Sequence, residues 1–203
     1  MSEFDARAKG WEENPVHTLR TEAIAREIRA RIPLSRSMRA LEVGCGTGLL
    51  SFALREELGT IVPTDTSEGM LEVLREKIKV AGITNMQPLR SNLLIDPLPP
   101  GTFDLIFSQM ALHHIPDVDA LLGVFHDLLA KGGHLCIADL QLEDGSFHGE
   151  GFEGHHGFAQ AELIAKCERA GFEKLEIDVV FEIEREVGGI KRGYPVFLLS
   201  ALR

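Results

Sequence analysis

Between positions 16 and 32, apolar residues recur at helical spacing: Leu19, Ala23, Ile24, Ile28 and Ile32, with Pro33 as a stop. The pattern then alternates. "MRALEV" (38–43), "TIVPTD" (60–65), "FDLIFSQM" (103–110) and "GGHLCIADL" (132–140) are short apolar runs of strand length. Between them, "GLLSFALREEL" (48–58), "SEGMLEVLREKIKVAG" (67–82) and "DVDALLGVFHDLLAK" (117–131) have helical periodicity. Ser67 caps the second of these and Gly82 closes it. "NMQPLR" (85–90) is a short strand interrupted by Pro88. The spacing predicts a further helix over 160–172. Two final strands follow at 173–184 and 194–203, antiparallel because the join "REVGGIKRG" is short.

Strands alternating with helices indicate an α/β fold, a doubly wound and mostly parallel sheet with helices on both faces. The 203 residues form one domain, with 1–36 as an N-terminal helical lid and 37–203 as the core. Residues 141–158, with five glycines and three histidines, form the longest stretch without regular pattern. Loops of that length are often lids or binding loops.

The formal net charge of −10 disfavours both a nucleic-acid surface and binding to anionic membranes. No segment has the roughly 20 apolar residues of a membrane span. The polar, charged start of the chain is unlike a signal peptide, so a cytoplasmic protein is expected. The three cysteines, Cys45, Cys136 and Cys167, have no paired spacing and read as small buried residues.

The candidate chemistry begins at "ALEVGCGTGLLSF" (40–52), where Gly44, Gly46 and Gly48 follow a buried strand and open a helix. Such a unit sets a backbone loop at the sheet edge, where a ligand can approach closely. A dinucleotide loop would carry glycine where Leu49 stands, and the Lys-Ser/Thr ending of a phosphate loop is missing. Asp65 ends the next strand, where an acid reaches ribose hydroxyls. Glu42 either faces an ammonium or organises the loop. A ribose-bearing cation without phosphates fits this set: S-adenosylmethionine.

"LEVGCGTG" resembles the first motif of class I S-adenosylmethionine-dependent methyltransferases. "DTSEGML" (65–71), "FDLIFSQMALHHIPD" (103–117) and "LLAKGGHLCIADL" (128–140) resemble later segments of that family in the same order. "HHGFAQAELIAKCERAGF" (155–172) resembles the small branch related to quinone-biosynthesis methyltransferases. The resemblance implies a seven-stranded Rossmann-like sheet in the order 3-2-1-4-5-7-6. It implies that Gly44, Cys45 and Gly46 line the methionine moiety by backbone. Asp65 would bind the ribose, and Thr66 and Met70 would flank the adenine. Asn92 and Leu93 would hold the adenine edge, although many relatives carry Asp at the first of these. Gln109 would close over the cofactor, with Trp11 among the lid residues that touch it.

The implied reaction is in-line methyl transfer, in which holding donor and acceptor in line and excluding water carries most of the catalysis. A base is needed only where the acceptor loses a proton. His113 and His114 follow the fourth strand, and His148, His155 and His156 lie in the long loop. His114 is the candidate base. A metal site from His113, His155, His156 and Asp139 lacks helical ligand spacing, so no metal is expected. There is no Asn/Asp-Pro-Pro-Tyr/Phe after the fourth strand, against methylation of adenine or amide nitrogens. The pocket is expected to come from 1–36 and 141–158, with Phe4, Trp11, His17 and Phe158 as lid aromatics. A small, partly apolar acceptor follows, acted on by a monomer or homodimer. The alternative is a cofactor-binding module or partner subunit without chemistry of its own.

Overall fold

The computed structural model describes residues 3–203. Three parallel strands begin the sheet: β1 (Arg39–Val43), β2 (Thr60–Asp65) and β3 (Leu89–Arg90). β4 (Phe103–Gln109), β5 (Leu129–Leu140), β6 (Glu173–Val187) and β7 (Ile190–Leu202) complete it. The order is β3-β2-β1-β4-β5-β7-β6, parallel from β3 to β5 and antiparallel at β5–β7 and β7–β6. Strand order therefore reverses between β1 and β4, the point where open α/β sheets bind ligands.

The helices are α1 (Glu3–Arg7), α2 (Pro15–Arg31), α3 (Leu49–Leu54), α4 (Glu68–Ala81), α5 (Val118–Leu128) and α6 (Gln160–Arg169). Successive strand residues point to opposite faces, so each face has its own core. Ala40, Ile61, Leu105 and Cys136 pack against Ile24 and Ile28 of α2, Leu50 of α3 and Leu74 of α4. Leu41, Val62, Ile106 and Ile137 pack against Leu122 and Phe125 of α5 and Leu163 of α6. All three cysteines are buried and unpaired. Among the described residues, no helix is long and apolar enough to cross a membrane.

Several elements differ from the sequence expectation, among them β3, confined to Leu89–Arg90, and α6, which ends at Arg169. α2 is rotated: Leu19 is 55% exposed, while Arg20 is 6% exposed and points inward with Thr21. Its inner stripe faces a cavity as well as the core, and so carries polar residues. α3 stops at Leu54, short of residue 58. Helix α5 ends at Leu128, because Leu129 already pairs with Phe103 in the sheet. The charged join "REVGGIKRG" is mostly strand: Arg185 pairs with Arg192 and Glu186 with Lys191. Only Gly188 and Gly189 turn, at φ +59° and +79°, the two positive values that a tight hairpin turn of type I′ demands. Both faces of this ribbon are solvated, so it lacks the apolar alternation that marks a strand.

Candidate active site

A cavity of about 1300 Å³ opens at the C-terminal ends of β1 and β4, roofed by the N-terminal helices and the 141–158 loop. The glycine loop is its floor, with φ of +68° at Gly44, +53° at Gly46 and +80° at Gly48. Two of the three glycines answer to packing. A Cβ at Gly44 would lie 2.2 Å from Ala111 Cβ, and one at Gly48 would lie 2.5 Å from Leu74 Cδ1. At Gly46 a Cβ would meet only Met70 Sδ, at 3.9 Å. Gly46 is the glycine that leaves room for a ligand.

The loop has already used the donors a phosphate would want. Cys45 N–H donates to Thr64 O (2.9 Å), Gly48 N–H to Cys45 O (2.8 Å) and Gly46 N–H to Asp65 Oδ2 (2.7 Å). Asp65 Oδ1 accepts from Ser67 N–H at 2.8 Å. Each carboxylate oxygen retains a lone pair for a further donor. Burial pushes the Asp65 carboxyl above its usual range, and Asp5 adds to this, while the amides of Ser67, Gly46 and Thr66 oppose them. Burial likewise holds the Cys45 thiol protonated. Glu42, fully buried, organises the loop: Ser51 N–H (3.1 Å) and Ser51 hydroxyl both donate to its Oε2. Burial raises its carboxyl to about 8, with Ser51 opposing and Asp65 reinforcing.

The N-terminal segment is fastened over this floor. Asp5 Oδ1 accepts from Ser67 Oγ at 2.6 Å and Gly69 N–H at 3.0 Å, capping the start of α4. Gly69 permits that approach, since a Cβ there would lie 2.8 Å from Asp5 Cα. Glu12 accepts from Thr47 Oγ1 at 2.6 Å and from Lys77. His17 Nδ1–H donates to Trp11 O at 2.8 Å, with the two rings 4.5 Å apart. Thr21 Oγ1 lies 3.1 Å from the Gln109 side-chain amide and joins α2 to the end of β4. Arg20 lines the cavity, and its Nε is buried without a partner. Burial lowers its guanidinium to about 10.

One wall of the cavity carries a cluster of histidines. His113 Nδ1–H donates to Asp139 Oδ1 at 2.5 Å, and Asp139 also accepts from the amides of His113 and Leu140. Burial alone would raise the Asp139 carboxyl, but His113 and these amides outweigh it and hold it low. His114 and His148 stand next to His113, at ring separations of 4.2 and 5.0 Å. Burial first, and then the neighbouring imidazoles, lower both to about 4. The loop is stapled to this wall: His155 N–H donates to His113 O (2.8 Å) and His155 Nε2–H to Ile115 O (3.0 Å).

Residues 41–137 match the family model of a methyltransferase domain. A demethylmenaquinone methyltransferase of Geobacillus kaustophilus is 32% identical over 119 residues, 57% of this chain and 51% of that protein. Over this stretch the chain is similar to methyltransferase domains. An uncharacterized methyltransferase of Schizosaccharomyces pombe is 30% identical over 156 residues, 69% of this chain and 55% of its own length. The chain spans about half the length of the curated relatives it matches. Among solved structures, a SAM-dependent methyltransferase of Thermotoga maritima superposes with a TM-score of 0.72 at 18% identity, covering 98% of this chain and 97% of that one. Phosphoethanolamine N-methyltransferase 2 of Haemonchus contortus, bound to S-adenosyl-L-methionine, gives 0.73 at 16%, covering 91% and 52%. At these identities the structures testify to the fold.

Gly44, Cys45, Gly46, Asp65, Thr66, Met70, Asn92, Leu93, Gln109, Trp11 and His114 all line this same cavity. Phe4 and His17 line it too, whereas Phe158 is 7% exposed and belongs to the core beneath α5 and α6. Its amide pairs with Leu140 O at 2.9 Å, which draws it down beside the sheet. His155 and His156 stand outside the cavity, while His148 faces it. Sequence reasoning passed over Arg20, Asp5, Glu12 and Phe152. Arg20 carried a signal: it falls four residues before Ile24 on the apolar stripe, where a charged residue needs a reason.

Proposed function

We propose that the chain transfers a methyl group from S-adenosylmethionine to a small-molecule acceptor, with S-adenosylhomocysteine as the second product. The observation that carries this is Asp65, joined to the amide of Gly46 and lining the same cavity as the histidine wall. The residues present suit the cofactor. Asp65 retains lone pairs for the ribose hydroxyls. Gly46 leaves space for the methionine chain, and the neighbouring carboxylates Asp5 and Asp65 favour a cation over a phosphate. Asn92 Oδ1 already accepts from Leu94 N–H at 3.1 Å, so its amide NH₂ is the end that would donate to an adenine ring nitrogen. Met70 and Thr66 flank that position, Leu93 closes its edge, and Trp11 and Gln109 cover it.

The bound cofactor supplies a methyl already activated on sulfonium. The protein's part is then to hold the acceptor in line and keep water out. The segment over residues 3–36 serves as the lid, and its aromatics Phe4 and Trp11 are apolar surfaces for the acceptor. Arg20, buried with a free Nε, suits an anionic or carbonyl group on the bound molecules. His114 is the group to take a proton from an acceptor that must lose one. The isolated, buried cysteines fit a reducing, cytoplasmic setting.

Calorimetry with S-adenosylhomocysteine tests the reading. Wild type is expected to bind, and Asp65→Ala to weaken binding about 10- to 100-fold, the scale of lost hydrogen bonds to a charged acceptor. Equal affinity in the variant, or binding of NAD in place of the sulfur nucleoside, would sink it. A coupled assay for S-adenosylhomocysteine across a metabolite panel then identifies the acceptor.

A further inference from the structure

We propose that His113, His114 and His148 form a binding site for one divalent transition-metal ion, with zinc as the reference ion, and with a fourth position open to the cavity. One ring nitrogen from each lies within 4.8 Å of those of the other two. Zinc–nitrogen bonds of about 2.0–2.1 Å set such nitrogens roughly 3.4 Å apart, so the rings close by about 1.4 Å or less to reach a shared ion. Three imidazoles are a donor set that suits zinc, copper, nickel or iron rather than magnesium or calcium.

Two further observations point to an ion. Asp139 takes the Nδ1–H of His113 and so presents Nε2 as the free nitrogen. A carboxylate behind the imidazole is the usual support of a metal-bound histidine, fixing tautomer and ring orientation. His148 Nε2, from the far loop, is buried with no hydrogen-bond partner. Its ring stacks on Phe152 at 3.8 Å and 14°, and Phe152 also meets His114 edge-on at 5.4 Å. The third ligand is thus held against the other two by an aromatic clamp. A buried imidazole nitrogen without a partner costs stability unless something binds it.

Three protein ligands and one open position make the coordination of a reactive site rather than a closed structural one. His113, His114, His148 and Phe152 all line the cavity. The open position therefore takes an oxygen, nitrogen or sulfur atom of the acceptor, and this role alone rests on the methyl-transfer reading. It also reassigns His114, whose lone pair goes to the ion instead of to a proton.

The test uses the full, untagged chain after chelator treatment, titrated with Co²⁺ as a coloured stand-in for zinc. The expected result is a visible absorption band of four-coordinate cobalt saturating at one equivalent and bleached by one equivalent of Zn²⁺. His148→Gln and His114→Gln should each weaken Co²⁺ binding at least tenfold, while His156→Gln, outside the cavity, should leave it unchanged. S-adenosylhomocysteine binding, measured on the same samples, reports the fold and the methyltransferase reading separately. No band in wild type, or a band that survives in both His148→Gln and His114→Gln, overturns the site even if the nucleoside binds.

Discussion

Replacing Glu42 by Gln should make this protein more stable at pH 8 and leave it nearly unchanged at pH 4.5. Glu42 is fully buried at the end of β1, and burial raises its carboxyl from 4.5 to about 8. Below pH 4.5 the group is neutral in the folded and unfolded chains alike, and costs nothing. Between 4.5 and 8 the unfolded chain releases a proton that the folded chain keeps, so stability falls by about 1.4 kcal/mol per pH unit. Over that window the loss totals about 3–5 kcal/mol, a large share of a domain's stability. Glutamine cannot ionise. Its carbonyl can still accept from the Ser51 amide and hydroxyl, and its NH₂ takes the place of Oε1, which has no partner. Urea unfolding followed by circular dichroism at pH 4.5, 6.5 and 8 measures the difference. A gap between variant and wild type that widens from near zero to several kcal/mol is expected. Parallel profiles across the three pH values would show that Glu42 is ionised in the fold, and would refute the reasoning.

Substitutions at Gly44 and Gly69 probe the glycines that shape the site, with Gly82 as a control outside it. Gly44→Ala meets both a left-handed backbone and Ala111 Cβ at 2.2 Å, whereas Gly82→Ala, at φ +64°, has nothing within 4 Å. The second should cost the left-handed strain alone, about 1–2 kcal/mol, and the first clearly more; equal shifts in thermal melting would contradict the packing role given to Gly44. Gly69→Val drives a side chain into the Asp5 backbone, at 2.8 Å from its Cα. It should unseat α1, seen as faster amide exchange over residues 4–13 with the exchange of β4 and β5 unchanged.

Much of the fold was legible in the chain because apolar spacing reports it directly. β4 reads as a buried strand since both of its faces are covered, and α4 announces itself through Ser67 and Gly82, which do cap it. Where elements meet solvent or the cavity, the pattern faded. The outer part of the β6–β7 ribbon is charged on both faces and read as a loop. Helix α2 turns Arg20 inward because its inner face borders an aqueous cavity as well as apolar core, which spacing alone cannot tell apart. Phe158 resembled a lid residue by its place in a long glycine-rich loop, yet its hydrogen bond to Leu140 draws it into the core.

The sequence by itself determined the local units and their order. It set the strand, glycine loop and helix around Gly46, the acid at the end of the next strand, and the alternation that makes a parallel sheet. These are short-range facts, fixed by periodicity, caps and backbone freedom. Only the tertiary structure decided what those units do to one another. It showed that the amides of Cys45, Gly46 and Gly48 are already engaged, that Gly44 and Gly48 serve packing, and that Glu42 holds the loop from within. It also brought His148 against His113 and His114 across a long loop. Residues that far apart along the chain meet only through packing, and no spacing along the chain encodes that distance.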